Sequence, residues 1–400
     1  MTNILVANVG STSLKYQLIR FPEEESLALG RFERIGSNDA VLSWSAVERK
    51  ESATEPLADY EAAVRRMISI LMEGPTAVIS SLSEIDAVGF KTVIAKGFEG
   101  CVRITDEVLD GMEEYILLAP AHNPPYINAI RVFREVMPDT PLIGLFEPAF
   151  HTTAPDYAKV YAVPKEWREK YGVRRYGYHG ASHRFISERT PQLLGKPKEE
   201  TNLISCHLGG SSSICAVQHG RSVDTSMGFS PQSGLFHGTR HGELDPFVVL
   251  YIMQQAGLSI EEMVTQLTKK SGFLGLSGVS ADVRDIEEAA AGGNDDARLA
   301  LEAFCYDAKK CIGAYTAVLG TVDALVFTGG IGERGAGIRE RICMGLEPLG
   351  ICLDRSKNRE VSGQEARVNT DDSRTAVWAI PTNEELIVAR AASELLQNKS

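Results

Sequence analysis

Arg240 and His241, followed closely by Glu243 and Asp245, sit in the stretch DTSMGFSPQSGLFHGTRHGELDP (224–246) among glycines, serines and prolines. A guanidinium and imidazoles carried by small residues can grip an anion, and backbone donors beside them can share the load. A second tract, RRYGYHGASHR (174–184), compresses arginines and two histidines into a segment without acids. Neither tract has the periodicity of a helix or a strand, so both are expected as ordered loops, and long ordered loops in compact domains commonly line a site. A solvated surface loop is the plain alternative, and what argues against it is the set of segments that accompany these two.

Two of those segments are alike. Ile4–Ala7, the turn Asn8-Val9-Gly10-Ser11-Thr12-Ser13 and the alternating run Leu14–Arg20 read as strand, polar turn and strand. NLISCHLGGSSSICAV (202–217) repeats that arrangement, with Gly210-Ser211-Ser212-Ser213 in place of Gly10-Ser11-Thr12-Ser13. Turns of this kind can wrap backbone N–H groups around phosphate. Two copies about 200 residues apart imply a duplicated domain with a nucleotide in the cleft between the copies. A third glycine turn, VDALVFTGGIGERGAGIRERI, reads as strand, turn and helix. Its glycines let a ligand approach backbone, and its helix start offers N–H groups to anions. It lacks GxGxxG spacing, which argues against a dinucleotide-dependent hydride transfer.

The elements between them follow in order. Ala58–Met72 is an amphipathic helix, residues 21–57 are polar and punctuated, and DAVGFKTVI (86–94) is a strand with Lys91 inside it. A lysine in such a strand ordinarily sits at an edge or reaches water. His122-Asn123-Pro124-Pro125 leads into a helix near Tyr126, and PLIGLFEPAFH is a buried strand ending on Glu147 and His151. Helices are expected over Pro246–Gln255, Ser259–Lys269 and Asn294–Leu319, with Ser280 as N-cap of another. Glu384 and Glu385 open the last helix, where the dipole alone would favour acids.

The chain has 400 residues, net charge −12 and 44% hydrophobic residues. That length points to two domains, and the acidity argues against nucleic acid and membrane as partners. Seven cysteines without metal-ligand spacing, no signal sequence and no apolar run of membrane length point to a cytoplasmic protein.

The segments NVGSTSLKYQL, AHNPPY, FEPAFHTTAPDYAKVYAVP, RRYGYHGASH, HLGGSSSICAV, the 224–246 stretch, SGVSADVRDI, FTGGIGER and PTNEEL, in this order, resemble the acetate kinase family of the sugar kinase, heat-shock-70 and actin superfamily. The resemblance implies an α/β fold of two duplicated actin-like (ribonuclease H-like) domains with the nucleotide cleft between them. The domains are expected over 1–150, completed by a terminal helix at 385–400, and over 151–384. It implies in-line phosphoryl transfer from ATP to acetate or another short carboxylate, with Mg²⁺ or alternatively Mn²⁺, in a homodimer. Asn8 and Glu384 would hold the metal. Ser11, Ser13 and Lys15, with His207, Gly209 and Gly210, would take the phosphates, and Asp282, Arg284, Gly330 and Ile331 the adenosine. His122, Glu147, His179 and Arg240 would act on the transferring group, while Lys91, Val93, Ala121, Tyr178 and Pro231 would bind the acid.

The chain departs from the family at three places. HRVVHGG is FKTVIAK here, FDTAF is FEPAF, and HLGNGAS is HLGGSSS. Lys91 for arginine gives up a two-pronged grip, and Glu147 is one methylene longer than aspartate. Ala121 and Tyr178 replace leucine and phenylalanine, so the acyl recess is expected to be roomier and to carry a hydroxyl, favouring propionate or a larger or hydroxylated acid. A catalytically silent nucleotide-binding homologue is the alternative of a different class.

Overall fold

The computed structural model describes residues 1–46 and 49–398. They form two compact units, Met1–Ala149 with the segment from Asn383, and Phe150–Thr382. Glu384 therefore belongs with the first unit, not with the segment that precedes it.

The first unit is built on strands β1 (Thr2–Val9), β2 (Ser13–Phe21), β3 (Glu25–Glu33), β4 (Ser37–Ala46), β5 (Arg49–Leu57), β6 (Ala87–Thr92), β7 (Cys101–Arg103) and β8 (Leu142–Phe146). They lie in the order β5-β4-β3-β2-β1-β6-β8-β7, with β1, β6 and β8 parallel. β8 is buried at every position, as expected of a parallel strand covered on both faces. The helix Glu384–Gln397 packs on β1, β6 and β8, and Tyr60–Met72, capped by the Asp59 carboxylate, packs near β3 and β5. β3 to β5 occupy the stretch that reads as punctuated polar sequence. β5 alternates exposed and half-buried residues along most of its length, so it is an edge strand with little apolar signal.

The second unit is built on β9 (Asn202–Leu208), β10 (Ser212–Gln218), β11 (Arg221–Thr225), β12 (Ala324–Thr328), β13 (Ala366–Arg367) and β14 (Ala376–Ala379), in the order β11-β10-β9-β12-β14-β13. The run β3-β2-β1-β6-β8 thus has its counterpart in β11-β10-β9-β12-β14. In both, an antiparallel hairpin leads into parallel strands. The helix Asp295–Leu319, capped by Asn294, crosses this sheet.

The 226–245 segment is a loop held by its own anchors. Phe236 packs on Phe273 and Phe304, with ring centroids 5.0 and 5.5 Å apart, tying the loop to that long helix. Gly272, at φ +64, is required here because a Cβ would lie 2.1 Å from the His237 carbonyl oxygen and 2.8 Å from that of Arg240. Among the described residues no helix is long and apolar enough to cross a membrane.

Candidate functional site

In the first unit the carboxyl ends of β1, β6 and β8 gather an ion cluster. Lys91 Nζ donates to Glu384 Oε2 at 2.7 Å and lies 3.1 Å from Glu147 Oε1. The three side chains are 17%, 13% and 5% exposed. Lys91 thus neither sits at an edge nor reaches bulk water: β6 is flanked by β1 and β8, and the two carboxylates take up the charge. Burial alone would push its ammonium down, but Glu147 and Glu384 outweigh that and hold it well above the ordinary lysine range. Beside it Asn8 donates to Glu385 Oε1 at 3.2 Å and accepts from the Tyr126 hydroxyl at 3.1 Å. Both acids that open the last helix therefore have partners outside it, beyond what its dipole supplies.

His122 immediately precedes the helix Asn123–Val136, where Asn123 is fully buried and donates to the carbonyls of Ile94 at 3.0 Å and Met112 at 2.8 Å. That amide pins the His122 turn to the segment after β6, close in sequence to Val93. Val93 is buried and Ala121 exposed. Ser11 is exposed in the first hairpin turn, and Ser13 and Lys15 lie on β2. The Tyr60 hydroxyl donates to the carbonyls of Gly10 and, at 3.0 Å, Ser13, fixing the tip.

In the second unit the carboxyl ends of β9 and β12 bring several predicted residues together. A Cβ on Gly209 would lie 3.8 Å from the Gly330 amide nitrogen, so the two glycine turns meet. Gly238 N donates to the Gly210 carbonyl at 3.0 Å, and its Cβ position is 3.1 Å from the Ala281 carbonyl oxygen, beside Asp282. The Ser212 N–H donates to His237 Nδ1 at 3.0 Å. Asp282, not Ser280, caps the helix Val283–Ala291, accepting from Arg284 N at 2.9 Å and from its guanidinium at 2.6 Å. Ser280 instead accepts from Asp282 N at 3.0 Å. Arg284 holds the Asp282 carboxyl down to about 2.

Gly329 follows β12 at φ +74, a position where a Cβ would meet the Leu208 carbonyl oxygen at 2.7 Å. Gly330 is the opposite case, since a Cβ there meets nothing within 4 Å. Gly330→Val should therefore fold normally and block whatever occupies that space. A melting temperature close to wild type together with at least a tenfold weaker nucleotide affinity in calorimetry is the expected pair of results, about 1.4 kcal/mol or more in binding. Unchanged affinity would remove this turn from the site.

His179 has φ 55, in the left-handed region, and precedes the helix Gly180–Leu194. Its ring stacks on His207, with centroids 4.1 Å apart and planes 22° from parallel, while His207 Nδ1 bonds Ser182 Oγ at 2.8 Å. Ile331 lies in the short helix Gly329–Arg334, next to Gly332, whose carbonyl accepts from the fully buried Arg339 at 2.8 Å. The buried Tyr178 hydroxyl donates to the Phe229 carbonyl at 2.8 Å. The hydroxyl expected in the acyl recess thus has its hydrogen taken up by a backbone carbonyl, while its oxygen can still accept.

Arg240 is 9% exposed, and one of its nitrogens donates to the buried Pro231 carbonyl at 2.6 Å. Burial pushes its guanidinium down to about 10, and among the described residues no carboxylate is salt-bridged to it. A charge buried without a counter-ion is costly unless a ligand supplies one. Sequence reasoning gave a role to Arg240 but none to His183, His237, Tyr60, Tyr126 or Arg339, whose partners lie elsewhere in the chain.

Two α/β units that repeat one strand order, each headed by a hydroxyl-rich hairpin turn, define a duplicated actin-like fold. The acetokinase family profile matches residues 3–390. An acetate kinase of Clostridium botulinum (strain 657, type Ba4) is 47% identical over 98% of this chain and 99% of its own. Among solved structures, the acetate kinase of Porphyromonas gingivalis is 38% identical with a TM-score of 0.87, covering 99% of this chain and 100% of that one. A propionate kinase from Francisella tularensis is 37% identical with a TM-score of 0.88, covering 98% of this chain and 99% of that one. The chain belongs to the acetokinase family.

Proposed function

We propose that this enzyme transfers the γ-phosphoryl group of ATP to the carboxylate of acetate, giving ADP and acetyl phosphate. The observation that carries the reading is Arg240, a buried guanidinium with no salt-bridged carboxylate among the described residues, in a loop bonded to the Gly210 turn. Direct phosphoryl transfer asks mainly for positioning and for neutralisation of spreading negative charge. Arg240 meets the carboxylate and the phosphoryl oxygens, and His179 and His122 donate to the phosphoryl group. Ser11, Ser13, Lys15, His207, Gly209 and Gly210 take the remaining phosphates. Asp282, Arg284, Gly330 and Ile331 hold the adenosine.

Asn8 and Glu384 would hold Mg²⁺, or Mn²⁺ in its place. Among the described residues no three His, Cys, Asp or Glu side chains converge into a closed metal cage. Asn8, Glu147, Glu384 and Glu385 bring side-chain oxygens together around the Lys91 ammonium, and oxygen ligands suit a hard cation that keeps waters and shares phosphate oxygens. When bound, the ion neutralises charge on the nucleotide phosphates. Lys91 keeps Glu147 and Glu384 in place, which leaves Arg240 as the main clamp on the substrate carboxylate.

The acid is assigned to Val93, Ala121, Tyr178 and Pro231. The Tyr178 hydroxyl donates its hydrogen to the Phe229 carbonyl, and each buried methylene of an acid can add about 0.8 kcal/mol. Trapping acyl phosphate with hydroxylamine, given ATP and Mg²⁺, tests the whole reading. Hydroxamate should form from acetate and from propionate at comparable kcat/KM, and Ala121→Leu should select against propionate. No hydroxamate from any short carboxylate would mark the chain as a silent nucleotide binder.

The enzyme is further proposed to be a cytoplasmic homodimer. All seven cysteines are free, which suits a reducing compartment. The helix Pro246–Ala256 buries none of its residues, and Phe247, Leu250 and Tyr251 are 73%, 58% and 60% exposed. An apolar helix left this open fits a second copy. Leu250→Glu combined with Tyr251→Glu should halve the mass measured by light scattering, and an unaltered mass would exclude this helix from the interface.

A further inference from the structure

We propose that His183 and Ser205, both fully buried, decide which ring nitrogen of His179 carries its proton. Ser205 Oγ lies 2.8 Å from His183 Nδ1, His183 Nε2 lies 2.8 Å from Ser213 Oγ, and the same Ser213 Oγ lies 2.8 Å from His179 Nδ1. His183, Ser205 and Ser213 have no exposed surface, and all four residues belong to the second unit. They form one line of hydrogen bonds that ends on the imidazole assigned to the phosphoryl group, and the inference rests on that assignment.

The direction of the line follows from counting protons. Burial, helped by His151 and His207, keeps His183 well below the ordinary histidine range, so its ring is neutral, with one donor and one acceptor nitrogen. The Ser205 hydroxyl has no acceptor other than His183 Nδ1 among the described residues. A buried hydroxyl hydrogen without an acceptor is disfavoured, so Ser205 donates to Nδ1. His183 then carries its proton on Nε2 and donates it to Ser213 Oγ. Ser213, having accepted, donates its own hydrogen to His179 Nδ1, and the His179 proton is left on Nε2. The opposite polarity would put a lone pair on Nε2 and turn it toward an anion.

His179 is otherwise fixed by the His207 stack and by its left-handed backbone, so the relay adds the one property those constraints leave open. His183, Ser205 and Ser213 are positioning residues in this scheme. Holding a catalytic imidazole in the correct tautomer is a familiar role for a buried partner, and loss of such a partner can be severe.

Two readouts test the proposal. In two-bond ¹H–¹⁵N correlation spectra of protein labelled with ¹⁵N-histidine, His179 should show a protonated Nε2 and an unprotonated Nδ1 in the wild type. Ser213→Ala should give mixed tautomers at His179, and Ser205→Ala should do the same at His183. In steady-state assays Ser213→Ala should lower kcat by about ten- to a hundredfold with both KM values within about threefold. Ser205→Ala should have a smaller effect of the same kind, and both serine variants avoid emptying the histidine site. A wild-type His179 protonated on Nδ1, or one whose tautomer Ser213→Ala leaves unchanged, would overturn the relay. His179→Ala separates the underlying assignment: near-normal turnover in that variant would overturn the role of His179, while the spectra still decide the relay. If His179→Ala loses turnover and Ser213→Ala does not, the relay is wrong and the assignment stands.

Discussion

Arg240→Ala should lower turnover by about a hundred- to a thousandfold while nucleotide affinity stays close to wild type. The guanidinium is a preorganised cation whose burial cost is already met in the folded protein, so it does not have to reorganise as charge develops. Removing it relieves a buried charge and breaks one hydrogen bond, to the Pro231 carbonyl. The fold should therefore survive, and the loss should be read in kcat and in the KM for the carboxylate. Arg240→Lys should fall between the two, since it keeps the charge and loses the planar fork. Steady-state kinetics paired with calorimetric titration of ATP makes the check. Turnover within about threefold of wild type in the alanine variant would dismiss Arg240 as the principal clamp.

Lys91→Met should be the most damaging single change to stability in the first unit, costing about 3–5 kcal/mol in urea unfolding at neutral pH without divalent cations. It leaves Glu147 and Glu384, 5% and 13% exposed, facing one another without the ammonium that now separates them. A loss below about 1 kcal/mol would show that the cluster is far more hydrated than its burial indicates. The gentler pair Lys91→Arg and Glu147→Asp examines communication instead. The Lys91 and Glu147 side chains are 3.1 Å apart, and residues in contact typically couple by about 0.5–3 kcal/mol. The double variant should recover more activity than the two single effects predict, because the shorter acid makes room for the longer cation. Strict additivity in kcat/KM would mean that the two positions act separately.

The hairpin openings at Gly10 and Gly210, the Gly329–Gly332 turn and the helices after Asn294 and Asp245 were legible because their signals are local. Strand alternation, small turn residues and capping side chains lie within a few positions of one another. β5 was not, because an edge strand half in water carries little apolar pattern. The surroundings of Lys91 were illegible for another reason. Its partners lie far along the chain at Glu147 and Glu384, and nothing in DAVGFKTVI announces them. The same separation hid the bond between Ser212 and His237, and the one between Tyr178 and Phe229. Resemblance named residues, but which of them touch one another was a property of the fold.

The first unit is interrupted in sequence, since Met1–Ala149 is joined by the segment from Asn383, whereas Phe150–Thr382 is continuous. During synthesis the ribosome therefore makes all of the continuous unit before it makes the helix Glu384–Gln397 that packs on β1 and β6. Domains generally fold as units as the chain emerges. The inserted unit can thus mature while β1, β6 and β8 still wait for that helix to cover them. The carboxylates of Glu384 and Glu385 arrive with the same helix, so Lys91 and Asn8 lack those partners until then. Released chains truncated before Asn383 should consequently bind nucleotide-like anions at the Gly210 turn yet be unable to turn over, and their uncovered parallel strands make them natural clients for chaperones.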